Sequence, residues 1–343
     1  MLYSNTFSFE WPLLEVVTSI PVLIITGFTV LFFIYRLGGP RASTSQQILY
    51  SNPSKLNTGT EEFSKCNSPG CVRCTNYKSI KENLAKKLDD YLQTIIVDNV
   101  DEENIFERLK CSVEKGEKAG EKHDEHEVQN LQDSQSILHN PTVFQLCGLS
   151  SKPWYERNEV CEQDVKLLEN TFSTIWEEFT EVYEDFLQGD TTGWLSNLVP
   201  TGQWSVFHLY NQGNKVISNC IRCPNTARTL EKLGTFMCNI AFGNATFTVL
   251  QAGTHITEHY GPCNLRIRCH LGLQIPPCCS LTVAHQTKHW IEEGCLLFDD
   301  SYLHKAKHDG LEEDGPRIVF MVDLWHPEIT EEEKSALKYL FTI

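Results

Sequence analysis

The sequence predicts a mainly β domain, a sandwich or jelly roll with helices packed outside it, behind one apolar span in a chain of 343 residues. Three observations carry that expectation. Residues 165–187 read as an amphipathic helix, several short strand-like runs follow with a period near two, and twenty uncharged residues stand close to the N-terminus. A helix followed by many short strands separated by turn signals is the pattern of a β-sandwich or jelly roll.

After a tail over residues 1–15, the stretch VVTSIPVLIITGFTVLFFIY, 16–35, carries no charge. As a helix it would reach about 30 Å, the thickness of a bilayer's hydrocarbon core. Pro21 and Gly27 are tolerated in membrane helices. The tail holds Glu10 and Glu15 and no Lys or Arg. That fits an uncleaved transmembrane anchor better than a cleaved signal peptide, which wants a basic start and a shorter core. Arg36 and Arg41 follow the span, a bias that taken alone favours a cytosolic body.

Residues 36–80 are rich in Ser, Asn, Thr, Gly and Pro and read as a cysteine-containing linker. Residues 81–148 divide into a segment with helical spacing, carried by Leu84, Leu88, Leu92, Ile95 and Ile96, and a charged stretch. That stretch, 114–136, offers no packing face, so a solvated or disordered loop is expected, with His123 and His126 in solvent. Composition changes near Leu149, and residues 149–343 form the candidate catalytic domain.

Within that domain Leu168, Phe172, Ile175, Trp176, Phe179, Val182 and Phe186 fall three and four apart, so residues 165–187 predict one helix with an acidic outer face. Strands are expected over 247–250, 264–273, 280–284, 295–298 and 317–325. EEEKSALKYLF predicts a terminal helix.

The net charge of −16, with no clustered Lys and Arg, argues against nucleic acid as a partner. Fourteen cysteines include Cys66, Cys71 and Cys74 in one cluster and Cys220 with Cys223 in another. They would be disulfides in an oxidising compartment, and free thiols or metal ligands in a reducing one. The first cluster supplies three of the four ligands that a structural zinc needs. Asn244-Ala-Thr is a glycosylation sequon inside an apolar run.

The chemistry-bearing residues sit at strand ends. His259 is expected on the turn before the 264–273 strand, and His304 after the acidic turn that holds Asp299 and Asp300. A jelly roll can bring such turns to one mouth, and two imidazoles with open positions suit Fe(II). The carboxylate usual two residues after the first histidine is absent, because Gly261 stands there. By the period of two, Arg266, Arg268 and His270 share one face of their strand, opposite Ile267, Cys269 and Leu271. Arg317 opens the last strand. An arginine inside a barrel needs an anionic partner, and a carboxylate ligand is a natural one. Taken alone, these arginines could equally face solvent or pair with Asp and Glu.

HYGPCNLRIRCHLGL, LFDDSYLH and RIVFMVDLWHPE together resemble the aspartyl/asparaginyl β-hydroxylase family, over roughly residues 150–335 with KPWY at the start. The resemblance implies a double-stranded β-helix and Fe(II)- and 2-oxoglutarate-dependent hydroxylation of Asp or Asn side chains in a protein or peptide substrate. It implies His259 and His304 as iron ligands and Asp300 as an acid near the metal, acting through water. It implies Arg317 as clamp on the distal carboxylate of 2-oxoglutarate, with Arg268 and His270 at the metal-side carboxylate. Thr248 stands where the family has a serine. It also implies a type II membrane protein anchored by residues 16–35 with its body in the lumen of the secretory pathway. The cysteines and the sequon agree with that placement; the two arginines after the span do not.

The chain departs from the family in having Ala227, not cysteine, seven residues after Cys220, and in lacking room before residue 150 for a helical-repeat array. The alternatives to an active oxygenase are a non-catalytic membrane-tethered jelly-roll binding module and a jelly roll using another metal. His208, His255, His285, His289 and His308 read as surface or satisfied core residues. His326 reads as a strand end, and Trp154 and Tyr155 as packing at the domain edge.

Overall fold

The computed structural model describes residues 83–95, 106–120 and 138–342. The candidate span 16–35, the cluster Cys66, Cys71 and Cys74, and the stretch with His123 and His126 lie outside the described residues. Among the described residues no helix is long and apolar enough to cross a membrane.

Two antiparallel sheets form the domain. The larger contains β1 (Trp154–Tyr155), β2 (Trp194–Asn197), β3 (Trp204–Asn211), β4 (Asn214–Lys215), β5 (Ala245–Leu250), β7 (Arg266–Gln274), β10 (Cys295–Phe298) and β12 (Arg317–Trp325). Its strand order is β1-β10-β7-β12-β5-β3-β2, with β4 added on β3. The smaller runs β6 (His255–His259), β11 (His304–His308), β8 (Cys279–Val283), β9 (Gln286–Lys288). From β5 onward the chain crosses repeatedly between the sheets, which is the winding of a jelly roll.

Alternation along the central strands divides three layers. Phe207, Phe247, Ile267, Leu271, Ile318, Phe320 and Leu324 point out of the large sheet into the largest apolar core. That core is capped by α3 (Glu162–Asn170), α4 (Phe172–Leu187), α5 (Ile217–Arg222) and α6 (Pro224–Lys232). Residues of opposite parity, among them Trp204, Val206, Leu250 and Val319, meet Ile256, Leu281, Val283 and Ala306 of the small sheet in the inter-sheet core. A third cluster joins α1 (Leu84–Ile95), α2 (Glu107–Gly120) and α7 (Glu331–Leu340) through Leu88, Leu109, Leu337 and Phe341. A bidentate pair between Arg108 and Glu333 ties α2 to α7.

Four sequence expectations are corrected. Residues 165–187 form two helices, broken at Thr171, whose hydroxyl donates 2.7 Å back to the Leu167 carbonyl. Such back-bonding competes with the helix ladder. Residues 114–120, expected in a polar loop, continue α2, because Leu109 and Val113 give that helix a buried face. His259 ends the paired strand β6 and is not on a turn, whereas His304 follows the acidic turn as expected and opens β11. The sequon's Asn244 is only 2% exposed; its Nδ2 donates to Asp323 at 3.0 Å and its Oδ1 accepts from the Gln212 amide. A glycan has no room there, so the sequon of the folded protein is structural.

Candidate active site

All seven residues expected at the site line one pocket between the sheets, which encloses about 620 Å³ of non-protein space, open mouth included. Thr248 comes from β5, Arg268 and His270 from β7, and Arg317 from β12, all on the inner face of the large sheet. The small sheet supplies His259 from β6 and His304 from β11. Asp300 comes from the turn that carries the chain from β10 to β11.

His259 and His304 are direct cross-strand partners with ring centroids 4.1 Å apart. The pairing register shifts just after His304, and a bulge at that point re-aims the side chain beside it. Each ring donates its Nδ1–H to the carbonyl two residues earlier, His259 to Thr257 and His304 to Tyr302, both at 2.8 Å. A carbonyl can only accept, so the lone pair of each neutral ring resides on Nε2, the form that ligates a metal. Burial holds His304 below its ordinary pKa, with the nearby Asp300 charge opposing, so the ring is neutral near pH 7. No group of three or more His, Cys, Asp and Glu side chains among the described residues forms a metal cluster.

The missing carboxylate has a geometric explanation. A Cβ on Gly261 would lie 2.5 Å from the Asp300 carboxyl carbon, and the Gly261 amide donates to the Asp300 carbonyl at 2.6 Å. The Asp300 side chain therefore fills the space that a residue 261 side chain would need.

Asp300 is not an uncommitted acid. Its oxygens accept from Arg266 Nε at 3.0 Å and Nη2 at 2.5 Å, and lie 2.9 Å from Arg268 Nη1. Burial would raise its pKa, but the two guanidiniums overcome this and hold the carboxyl far below the usual carboxylate range. Asp323 closes the network, accepting from Arg268 Nε at 2.8 Å and Nη2 at 3.1 Å, and lies 3.2 Å from Arg266 Nη1. Two buried cations are thus balanced by two buried anions, and Arg268 reaches the pocket with its charge already compensated.

Arg317 differs. It is 2% exposed, its Nε has no hydrogen-bond partner, and no ion pair reaches it among the described residues. Its guanidinium sits 4.9 Å from the Trp290 ring centroid, and burial lowers its pKa to about 10. A buried cation with only an aromatic face beside it calls for an anionic ligand. His270 adds a donor. The Trp290 indole N–H donates to His270 Nδ1 at 3.2 Å, and burial, then the Arg317 and Arg268 charges, keep the ring neutral. The proton therefore sits on Nε2, which is buried without a partner. Trp204 lines the same pocket, and its indole N–H is likewise buried and unpaired.

Sequence reasoning missed Asp323, Trp290 and Trp204 and left Arg266 without a role. Asp323 had a signal, a single acid inside the apolar run RIVFMVDLW. Trp290 had none, since its role depends on a fold contact with β7 and β12. Two further histidines are structural: His308 Nε2 donates to the Gly315 carbonyl and His326 Nε2 to that of Ser150. Cys220 and Cys223 are both free, their thiols donating to the carbonyls of Leu209 and Glu178.

Fold and site together define a class: a jelly-roll protein with a buried cationic pocket and a facing histidine pair between its sheets. The family model described as Aspartyl/Asparaginyl beta-hydroxylase matches residues 158–327. Aspartate beta-hydroxylase domain-containing protein 2 of Homo sapiens is 38% identical over 327 residues, 93% of this chain and 83% of that protein. Aspartate beta-hydroxylase domain-containing protein 1 of Homo sapiens is 44% identical over 207 residues, 60% of this chain and 52% of that protein. The aspartyl/asparaginyl beta-hydroxylase of Mus musculus is 35% identical over 203 residues, 57% of this chain and 26% of that protein. This chain belongs to the aspartyl/asparaginyl β-hydroxylase family, and that membership supports a hydroxylase-type function for the pocket.

Proposed function

We propose that the protein is an Fe(II)- and 2-oxoglutarate-dependent hydroxylase acting on Asp or Asn side chains of a protein or peptide, tethered by residues 16–35 with its body on the luminal side. The observation that carries the reading is the pairing of two ligand-ready imidazoles with one uncompensated buried guanidinium in a single pocket. The donor set fits the groups it would hold. His259 and His304, each with Nδ1 committed to a backbone carbonyl, would hold the ion through Nε2, and water and the oxygens of a 2-oxo acid would be its other donors. Arg317, the orphaned His270 Nε2–H and the orphaned Trp204 N–H are the donors an oxygen-rich dianion requires.

His259 and His304 would hold the metal, which together with 2-oxoglutarate and oxygen supplies the oxidising power for hydroxylation. The protein's share is binding and orientation. Arg317 takes one carboxylate, with Trp290 fixing both the guanidinium's position and the His270 tautomer. Thr248 offers a hydroxyl on the same wall. Asp300 stays ionised throughout the neutral range and acts as an acceptor: it orders water or a donor near the histidines and carries no proton itself.

Binding measurements on the full-length chain in detergent, without oxygen, test this reading. Wild type should bind one Fe(II), and His259→Ala and His304→Ala should each lose it. Arg317→Ala should keep the metal and lose 2-oxoglutarate affinity by about a hundredfold, the scale of removing one partner of a buried charge pair. Unchanged 2-oxoglutarate affinity in Arg317→Ala would contradict the assignment. Protease protection in sealed microsomes tests the topology, and digestion of the body from the cytosolic side would sink the luminal placement.

A further inference from the structure

We infer that Cys111 and Cys147 form a redox-convertible pair that fastens helix α2 to the segment bracing both loops of the pocket. The two Sγ atoms lie 3.8 Å apart, each residue is partly exposed, and both thiols are free. Forming a bond of about 2.05 Å needs a closure of about 1.8 Å. Lys115 Nζ, one turn along α2, stands 3.5 Å from Cys147 Sγ. Ser112 Oγ accepts from the Cys147 amide at 2.8 Å, fixing the backbone that presents the thiol. Burial raises the Cys147 pKa, but Ser112, Cys111 and Lys115 together bring it below the ordinary thiol value. The pair has the parts of a reactive dithiol: a partly exposed thiol beside a cation, and a second thiol in contact with it.

The position gives the pair a consequence. Residues 138–147 run as a strap across two loops. The Asn140 amide donates to the Ser301 carbonyl at 3.1 Å, and the Leu303 amide donates to the Leu138 carbonyl at 2.7 Å. On the other loop, the Thr142 amide donates to Gly261 at 3.0 Å and Val143 to Pro262 at 2.9 Å. These loops adjoin His304 and His259. Cys147 ends the strap, and Cys111 belongs to a helix already bound to α7 by Arg108 and Glu333.

The step balances with a low-molecular-weight disulfide as oxidant. The Cys147 thiolate attacks one sulfur of that disulfide, forming a mixed disulfide and expelling one small thiolate. Cys111, losing its proton, attacks the Cys147 sulfur, closes the internal bond and releases the second small thiolate. Two electrons pass to the oxidant, and both leaving thiolates take up protons from solvent.

The test uses the full-length chain in detergent, reduced and then equilibrated with a glutathione buffer rich in the disulfide form. Non-reducing peptide mapping should find Cys111 joined to Cys147. The melting temperature should exceed that of the reduced protein by roughly 5–10 °C, as expected for closing a loop of a few tens of residues. In Cys111→Ser the gain should vanish and Cys147 should carry a glutathione adduct. Alkylation of both cysteines in the equilibrated protein, or Cys147 joined to another cysteine, would overturn the pairing. A cross-link without a rise in melting temperature would overturn the fastening, and absence of the adduct in Cys111→Ser would overturn the order of attack.

Discussion

Arg266, Arg268 and Asp300, which line the pocket, form a neutral ionic lattice with Asp323, and its members depend on one another. Removing one partner of a buried pair leaves the other charged and desolvated, at a cost of about 3–5 kcal/mol. Asp323→Ala should therefore lower unfolding free energy by that amount, measured by urea denaturation. Gly261→Ala is a second residue-scale test. The added methyl meets the Asp300 carboxyl carbon at 2.5 Å, so the carboxylate must leave Arg266 and Arg268. We expect a loss of stability of about 1–3 kcal/mol and of nearly all turnover, and wild-type activity in that variant would contradict the placement. The neighbouring carboxylates titrate in opposite senses. Asp300's folded pKa lies below its unfolded value, so its stabilising contribution is present above about pH 4 and is lost as pH falls through the folded pKa. Asp299 is pushed up to about 6 by burial, despite bonds from Ser151 and Ser301. The folded state therefore binds the extra proton between about pH 4 and 6, and this group stabilises the fold increasingly as pH falls through that window. Comparing wild type with Asp299→Asn by denaturation from pH 6.5 to 4 should show wild type gaining relative stability on acidification, by up to about 3 kcal/mol.

At the scale of elements, the outer apolar core backs the large sheet, whose other face presents Thr248, Arg268, His270 and Arg317 to the pocket. Phe247 touches that whole assembly, its ring 5.1 Å from Phe179 and 4.7 Å from Phe320. Phe247→Ala should cost about 3–5 kcal/mol and lower the melting temperature, although the side chain faces away from the pocket. This layer was partly legible in the sequence. β7, β10 and β12 announce themselves through alternation, because one face of each meets helices and is uniformly apolar. β6 and β11 do not. HITEH is mostly exposed and HKAKH buries His304, Ala306 and His308, so neither strand has an apolar face to read. They are strands because the fold pairs them, and that pairing is what sets His259 opposite His304. β2, β3, α5 and α6 also went unread, their ordering resting on contacts with β5 and α4.

For the whole molecule, the site exists because a jelly roll brings residues 45 apart in sequence into cross-strand register. The residue types of the site were visible in the sequence; their division of labour was not. Arg268 and Arg317 look alike in one dimension, and only packing shows that Asp323 and Asp300 occupy the first while the second is left for a ligand. The α1–α2–α7 cluster also bears on how the protein is handled, since a fragment starting near residue 145 would strip α1 and α2 from Leu337 and Phe341. The most direct measurement is therefore made on the full-length chain, loaded with Fe(II) and supplied with oxygen. Conversion of 2-oxoglutarate to succinate is followed beside Arg317→Ala. The hydroxylase account predicts turnover in wild type and at least a hundredfold less in the variant at limiting 2-oxoglutarate. Equal succinate formation by the two proteins, or none by a wild type shown to bind both Fe(II) and 2-oxoglutarate even with Asp- and Asn-containing peptides present, would contradict it.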